Sequence, residues 1–383
     1  MSHTNITSYI NNYQTPTLIY DLNKISKKMQ FLANICQNSP VKMLFTVKSF
    51  PYREVIDLAY EIMPGFEISN LNEYQLLPNN IKNVIVSIND PTGKINSSIP
   101  SALSEKNTCY VNMDVIDDDK LAGFNFQPNI YYGARVSHTS LFDNNKSYVT
   151  ESRFGSSIVK LEHKNIFFAG KINGLHLHNG SEENTLDDYL MMADKILYTV
   201  KKENIKISFM NLGGGLHRLT DRELEELVQR LTPLFIDNNI NGFFEPGQCI
   251  AKHAGYALGK ILAIKQFSPN KYHLISDLSS ECHLKWSDPI LLNKGKLYPI
   301  DSEDLSDSPK KLTVFIGGPT CFEHDCLGMF KIDPVDGKLP FKLNETIVFG
   351  NINGYAAAWN MTFNGISKAS VAFQFLLEEK SLL

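Results

Sequence analysis

Lys48 ends the run Val41-Lys42-Met43-Leu44-Phe45-Thr46-Val47-Lys48, an apolar segment rich in strand formers, and Ser49-Phe50-Pro51 closes it. A lysine at the end of a buried strand is costly unless it is paired or chemically used. Desolvation lowers an ammonium pKa, and the neutral amine can then attack a carbonyl and form a Schiff base. The commoner fate of such a lysine is simply to reach the surface, so the residues downstream decide. Gly174-Leu175-His176-Leu177-His178 alternates and sends both imidazoles to one face of a strand. A metal pair there lacks an obvious third ligand, so no metal is expected, and His178 is better suited to stacking on an aromatic ring. Ser181, three residues on, could give its hydroxyl to a phosphate. Asn211-Leu212-Gly213-Gly214-Gly215 offers three glycines whose backbone N–H groups can approach an anion closely. Phe244-Glu245-Pro246-Gly247 brings a carboxylate that could pair with a protonated ring nitrogen and keep that ring an electron sink. Gly317-Gly318-Pro319-Thr320-Cys321 adds a thiol able to deliver a proton, although a buried inert cysteine is the ordinary alternative. Tyr355 could add another phosphate donor.

These residues need elements to hold them. Strand-like runs at residues 41–48, 65–69, 83–88, 109–113, 130–136, 172–178, 206–212 and 242–245 alternate with helical stretches such as 183–202 and 221–234. In the latter, Leu224, Leu227, Leu231 and Leu234 recur at spacings of three and four. Eight strands alternating with helices predict an α/β fold, a parallel (β/α)8 TIM-like barrel over residues 22–250, with a doubly wound sheet as the competing arrangement. The triple glycine then follows strand seven, where barrels commonly hold a phosphate. Beyond Pro246 the pattern changes to strands at 258–266, 272–277, 312–317 and 345–350, joined by Gly, Pro, Asn and Ser turns. Residues 251–383 are thus expected to form a mostly β domain, completed by residues 1–21 through the Thr15–Tyr20 strand.

Composition narrows the function. With 43% hydrophobic and 20% charged residues, the 383-residue chain reads as soluble and globular. A net charge of −4 argues against a nucleic-acid polymer as partner. No apolar stretch approaches the roughly 20 residues of a membrane span, and residues 1–10 do not read as a signal peptide. The six cysteines are scattered without a Cys-x-x-Cys pair, which points to free thiols in a reducing cytoplasm.

Taken in order, these motifs resemble the pyridoxal-phosphate decarboxylases of the alanine-racemase fold type, which include ornithine, arginine and diaminopimelate decarboxylases. The resemblance runs from Thr15-Pro16 to Asn364-Gly365. It implies that Lys48 is the Schiff-base lysine and that His178 stacks on the cofactor ring. It further implies that Ser181, Gly213, Gly214, Gly215 and Tyr355 hold the phosphate, and that Glu245 pairs with the pyridine nitrogen. Glu67, Glu73 and Arg135 match family positions near the cofactor. Cys321 would be delivered across a homodimer interface into the partner's active site. One departure stands out: where the family usually has Glu-Pro-Gly-Arg, this chain has Glu245-Pro246-Gly247-Gln248. A charge-assisted bond worth about 1.5–3 kcal/mol is thereby exchanged for a neutral one of about 1.

The carboxynorspermidine decarboxylase branch also lacks that arginine. It further resembles this chain at Glu281-Cys282-His283, at Gly318-Pro319-Thr320-Cys321 with Asp325, and at Phe363-Asn364-Gly365. This implies decarboxylation of a 3-amino-3-carboxypropyl group on a cationic tail, as in carboxynorspermidine or carboxyspermidine. Asp277, Glu281 and Asp325 are the candidate tail-binding acids, with His283 lining the same pocket. The alternative is the same group on a peptidyl nucleotide, as in microcin C-type maturation. Racemase and non-catalytic readings share the fold. Cys321 disfavours the first, and the retained lysine and glycine loop disfavour the second.

Overall fold

The structure, a computed structural model, describes residues 12–92, 99–114, 124–137, 153–156, 170–178, 184–292, 298–299 and 311–376. It divides into two compact units, Ser26–Cys249 and Met1–Ile25 with Ile250–Leu383. Chain order begins with β1 (Thr17–Asp21) and α1 (Leu22–Ile35). The barrel strands are β2 (Val41–Met43), β3 (Phe45–Thr46), β4 (Gly65–Ile68), β5 (Ile85–Ile88), β6 (Thr108–Met113), β7 (Ile130–Val136), β8 (Gly174–Leu177), β9 (Phe209–Asn211) and β10 (Asn241–Phe244).

All their pairings are parallel, in the order β2-β10-β9-β8-β7-β6-β5-β4-β3. β2 and β3 are one strand interrupted at Leu44. Its first half pairs with β10 and its second half with β4, while the Leu44 N–H donates to Phe244 O at 2.8 Å. The nine segments are therefore the eight strands that the pattern predicts. Aromatic rings fill the interior. Tyr110 stands 4.8 Å from Phe209 and 4.5 Å from Phe243, centroid to centroid. Gly133 and Gly174 make room for Phe209, since a Cβ on them would lie 2.7 and 2.0 Å from its ring. Such close approach is what the missing side chains permit.

The outer helices follow from their caps and periodicity. α2 (Arg53–Ile62), α3 (Leu71–Leu76) and α4 (Ser101–Lys106) precede α5 (Leu186–Lys202) and α6 (Asp221–Asp237). Thr185 with Asp188, and Thr220 with Glu223, close capping boxes on α5 and α6. α6 buries Leu224, Leu227, Val228, Leu231 and Phe235. Leu234, expected on that face, is only partly buried, because the stripe drifts to Phe235.

The second unit follows α7 (Gln248–Ala251). Its strands are β11 (Gly255–Ser268), β12 (Lys271–Ser276), β13 (Ile290–Leu291), β14 (Tyr298–Pro299), β15 (Leu312–Gly317), β16 (Cys326–Ile332), β17 (Thr346–Ile352) and β18 (Ser370–Gln374), with α8 (Gly354–Ala358) between the last two. They run β13-β17-β11-β12-β15-β16-β14, and β1 joins antiparallel to β11 and parallel to β18. Among the described residues no helix is long and apolar enough to cross a membrane.

Candidate active site

The chemistry-bearing residues of the barrel gather at the C-terminal ends of its strands, the face on which barrel enzymes build their sites. Lys48 is not on the strand itself. It occupies the 3-10 turn Val47–Ser49 just past β3, and its side chain is 39% exposed. The desolvated lysine expected from the sequence is therefore not found. What fixes the ammonium is a partner, Glu67 on β4, whose Oε2 lies 2.8 Å away on a wholly buried carboxylate. Glu67 Oε1 accepts from Ser69 Oγ and Asn89 Nδ2, both at 3.1 Å.

Asn89 joins that carboxylate to a second one. The same Nδ2 donates to Glu245 Oε1 at 2.7 Å, and Ser87 Oγ and Asn211 Nδ2 reach this oxygen at 3.1 and 2.6 Å. Asn112 braces the group from behind, donating to Ser87 Oγ at 3.2 Å and to Asn89 Oδ1 at 2.7 Å. Three donors thus converge on one oxygen of Glu245, and none among the described residues reaches Oε2. Burial, then the charge of Glu67, pushes the Glu245 carboxyl above its ordinary value, while Lys48, Asn89 and Asn211 pull the other way. Among the described residues Oε2 is thus left able to accept one more donor.

His178 lies one residue past β8, partly accessible. Burial, then the nearby Arg135 and Lys48 cations, holds its imidazole down at about 3, so the ring is neutral at physiological pH. His176, on β8, is fully buried and held well below the usual range by the same causes and by His178. Arg135 on β7 pairs with Asp114 Oδ1 at 3.1 Å and stacks over Phe154 at 4.4 Å from the ring centroid. Glu73 on α3 accepts from the Ser69 N–H at 2.7 Å, and burial and Glu67 raise its pKa.

The glycine loop lies beside His178. Gly213 and Gly215 adopt left-handed φ of +69° and +85°. A Cβ on Gly213 would stand 2.9 Å from both Cβ and Cγ of His178. Asn211 Oδ1 takes the Gly213 N–H, and the Tyr189 hydroxyl holds Gly214 O, each at 2.8 Å. No backbone acceptor among the described residues takes the amides of Gly214 or Gly215. Two such amides beside a left-handed turn have the geometry that can take an anion. Gly213→Ala should cost about 1–2 kcal/mol of stability from the left-handed backbone and the clash. It should also weaken phosphate retention, and equilibrium dialysis with denaturant unfolding checks both.

The remaining candidates belong to the second unit. Tyr355 sits on α8, its ring 4.9 Å from that of Trp286 and edge-on to it. Cys321 is exposed, and its N–H donates to Asn364 Oδ1 at 3.3 Å. Asp325 is buried and bound: Oδ1 accepts from Ser279 Oγ, Ser280 N and Ser280 Oγ, and Oδ2 from Thr320 N and Oγ1. Asp277 accepts from Lys260 N and Thr15 Oγ1, each at 2.6 Å. His283 Nδ1 accepts from Ser279 N–H at 3.1 Å, which leaves Nε2 to donate to Ser367 O at 3.0 Å. These three side chains tie loops together. Glu281 pairs with Lys285 at 2.8 Å near the surface. Ser181 lies outside the described residues, and no group of three or more metal-ligating side chains occurs among them.

Sequence reasoning missed Ser87, Asn89, Asn112 and Asn211 as site residues. Each sits at or just past the end of an apolar strand, where a polar side chain that faces the interior must find a partner. That was the available signal.

A closed parallel barrel, followed by a strand-rich sheet that the N-terminal strand joins, is the alanine-racemase fold type. The homologues and structural neighbours of this chain are pyridoxal-phosphate-dependent decarboxylases of that fold. The carboxynorspermidine/carboxyspermidine decarboxylase of Campylobacter jejuni subsp. jejuni is 24% identical, over 97% of this chain and 94% of its own. The crystal structure of carboxynorspermidine decarboxylase complexed with norspermidine from Campylobacter jejuni matches with a TM-score of 0.68, at 21% identity, over 94% of each chain. The diaminopimelate decarboxylase of Vibrio cholerae is 21% identical over 83% of this chain and 79% of its own. No protein-family model matches the chain.

Proposed function

We propose that the chain is a pyridoxal-phosphate-dependent carboxy-lyase. It would remove the α-carboxylate from an amino acid carrying a 3-amino-3-carboxypropyl group, carboxynorspermidine or carboxyspermidine, to give an aminopropyl product and CO2. Glu245 carries the chemical part of this reading. Its Oε1 is saturated, no donor among the described residues reaches its Oε2, and its surroundings favour a proton on it. A protonated pyridine nitrogen is the donor this carboxylate lacks. The substrate rests on the Campylobacter jejuni relative, whose similarity extends over almost the whole chain. The peptidyl-nucleotide alternative finds no such support.

When bound, pyridoxal phosphate supplies the electron sink for the charge left on the α-carbon as CO2 departs. Lys48 would be the amine that holds the cofactor, and Glu67 Oε2, 2.8 Å away, keeps that amine at the mouth of the barrel. His178 offers the ring an uncharged face. The amides of Gly214 and Gly215, with Ser181, would hold the phosphate through neutral donors, since Gln248 brings no charge, and Gly213, whose N–H Asn211 takes, shapes the turn. Glu245 would accept the ring N–H and keep it protonated. Arg135, fixed by Asp114, and Glu73, fixed by the Ser69 amide, complete the wall.

Cys321 is the acid that returns a proton to the α-carbon, and it acts from the partner subunit of a homodimer. Cys321→Ala should slow product formation by about 10²-fold, the scale of a lost general acid; unchanged turnover and product would remove the thiol from the mechanism. Mixing inactive Lys48 and Cys321 variants should restore part of the activity by subunit exchange, and no restoration would leave each subunit acting alone. Mass-resolved turnover of carboxynorspermidine and carboxyspermidine tests the function as a whole. Release of CO2 with the matching triamine is the expected result. An intact cofactor spectrum without turnover of either compound would overturn the substrate.

A further inference from the structure

We infer that Asp325 is the positioning residue of the Cys321 loop, the carboxylate that fixes how the thiol is presented. The inference lies wholly within the strand-rich unit, and its catalytic consequence rests on the proposed role of Cys321 as the acid. Residues 318–325 connect β15 to its antiparallel neighbour β16, and Cys321 lies within that connection. Asp325 closes the connection at its base. Its N–H donates to Phe322 O at 3.0 Å, and its carbonyl takes the Gly318 N–H at 2.8 Å. Its buried carboxylate does more. Oδ2 accepts from Thr320 Oγ1 at 2.7 Å and from Thr320 N at 3.3 Å, the residue before the thiol. Oδ1 accepts from Ser280 N at 2.7 Å and from Ser279 Oγ and Ser280 Oγ at 3.0 Å each, in the loop that follows β12. One side chain thus fastens the thiol's loop to the end of a neighbouring strand.

The residues around the thiol fit this use. A Cβ on Gly318 would stand 2.2 Å from Asp325 Oδ2, so the missing side chain is what lets the carboxylate close on the loop. Thr320 Oγ1 also accepts from the Phe322 N–H at 3.3 Å, so one hydroxyl links Asp325 to the amide just past Cys321. On its other side the Cys321 N–H donates to Asn364 Oδ1, and Asn364 adopts a left-handed φ of +60°. The Gly-Gly-Pro-Thr setting of Cys321 is therefore a cradle for the carboxylate four residues on. Of the six cysteines only Cys321 is exposed, as a group that must be presented has to be. The rival use of Asp325, pairing with a cationic substrate tail, meets an obstacle. An ionised carboxylate has about four lone-pair sites. The five donors already on Asp325 leave no room for another.

Asp325→Asn keeps the shape of the side chain. Each carboxylate oxygen holds a backbone N–H, so the amide nitrogen meets a donor whichever way it turns. In this variant hydrogen exchange over residues 318–326 of the holoenzyme should quicken. Its kcat for carboxynorspermidine should fall about 10- to 100-fold, while KM stays within about twofold. Thr320→Val removes one donor and leaves the charge. It should shift exchange and kcat the same way by less, and it carries the test if Asp325→Asn does not fold. Exchange at the wild-type rate in a folded variant would overturn the inference. So would a raised KM with kcat kept, the signature of a carboxylate that binds the tail. Faster exchange with kcat unchanged would also overturn it when Cys321→Ala is slow. When Cys321→Ala is as fast as wild type too, the thiol's proposed role falls instead and the hold of Asp325 on the loop stands. A wild-type enzyme that leaves carboxynorspermidine intact would sink the proposed reaction, and the exchange rates would still decide whether Asp325 sets the loop.

Discussion

Lys48→Ala is expected to abolish covalent retention of the cofactor and to lower turnover by about 10³-fold or more, because the variant loses both its nucleophile and its proton carrier. Borohydride reduction of the wild-type holoenzyme, followed by peptide mapping, should place the reduced adduct on Lys48. An adduct on any other lysine overturns the assignment. Alanine also strands Glu67 as a buried carboxylate without its cation, so part of the loss could arise from the fold. Lys48→Arg separates the two effects. Guanidinium keeps the ion pair with Glu67 but cannot take over the amine chemistry. A folded, inactive Lys48→Arg protein would locate the defect in the amine.

Glu245→Gln should act in opposite directions on function and on stability. Glutamine cannot stabilise a ring cation, so turnover should fall about 10²-fold and the bound cofactor's absorbance should shift. In cofactor-free protein the sign reverses. The Glu245 carboxyl titrates higher when folded than in the unfolded chain, so the folded state holds the extra proton. Below the unfolded value, about 4.3, both states are protonated and burial of the charge costs nothing. As pH rises through the folded value, the unfolded chain has already ionised and the cost of the buried charge is paid in full. Cofactor-free wild type should therefore lose stability relative to Glu245→Gln as pH rises above the ordinary glutamate value of about 4.3. Thermal unfolding of both proteins across that range checks it, and parallel curves would remove Glu245 as the group under strain.

The glycine loop and the strand alternation around the barrel were legible because they are local. Gly213 follows β9 directly, and its left-handed backbone is something only that residue type supplies cheaply. For Lys48 the sequence misread the environment. A strand-period argument cannot see the turn at Val47–Ser49, nor that Glu67 on the next strand supplies the pairing. The Ser87, Asn89, Asn112 and Asn211 network was hidden for a related reason. Its members come from β5, β6 and β9, and only lateral register brings them to one oxygen of Glu245. In the second unit, Asp277 and Asp325 were chosen for charge, and nothing local revealed that Thr15, Lys260, Ser279 and Thr320 already hold them.

The interruption at Leu44 has a consequence in time. During synthesis Lys48 leaves the ribosome long before Phe244 does. β3 can dock on β4 early, yet β2 has no neighbour and Leu44 no carbonyl until β10 emerges. Glu245 arrives with that last strand. A stalled or truncated nascent chain therefore carries the amine without the seam that closes the barrel and without the carboxylate beside it. The proposed cofactor site is in this way a property of the finished barrel alone, since the seam at Leu44 and the Glu245 carboxylate are delivered together and last.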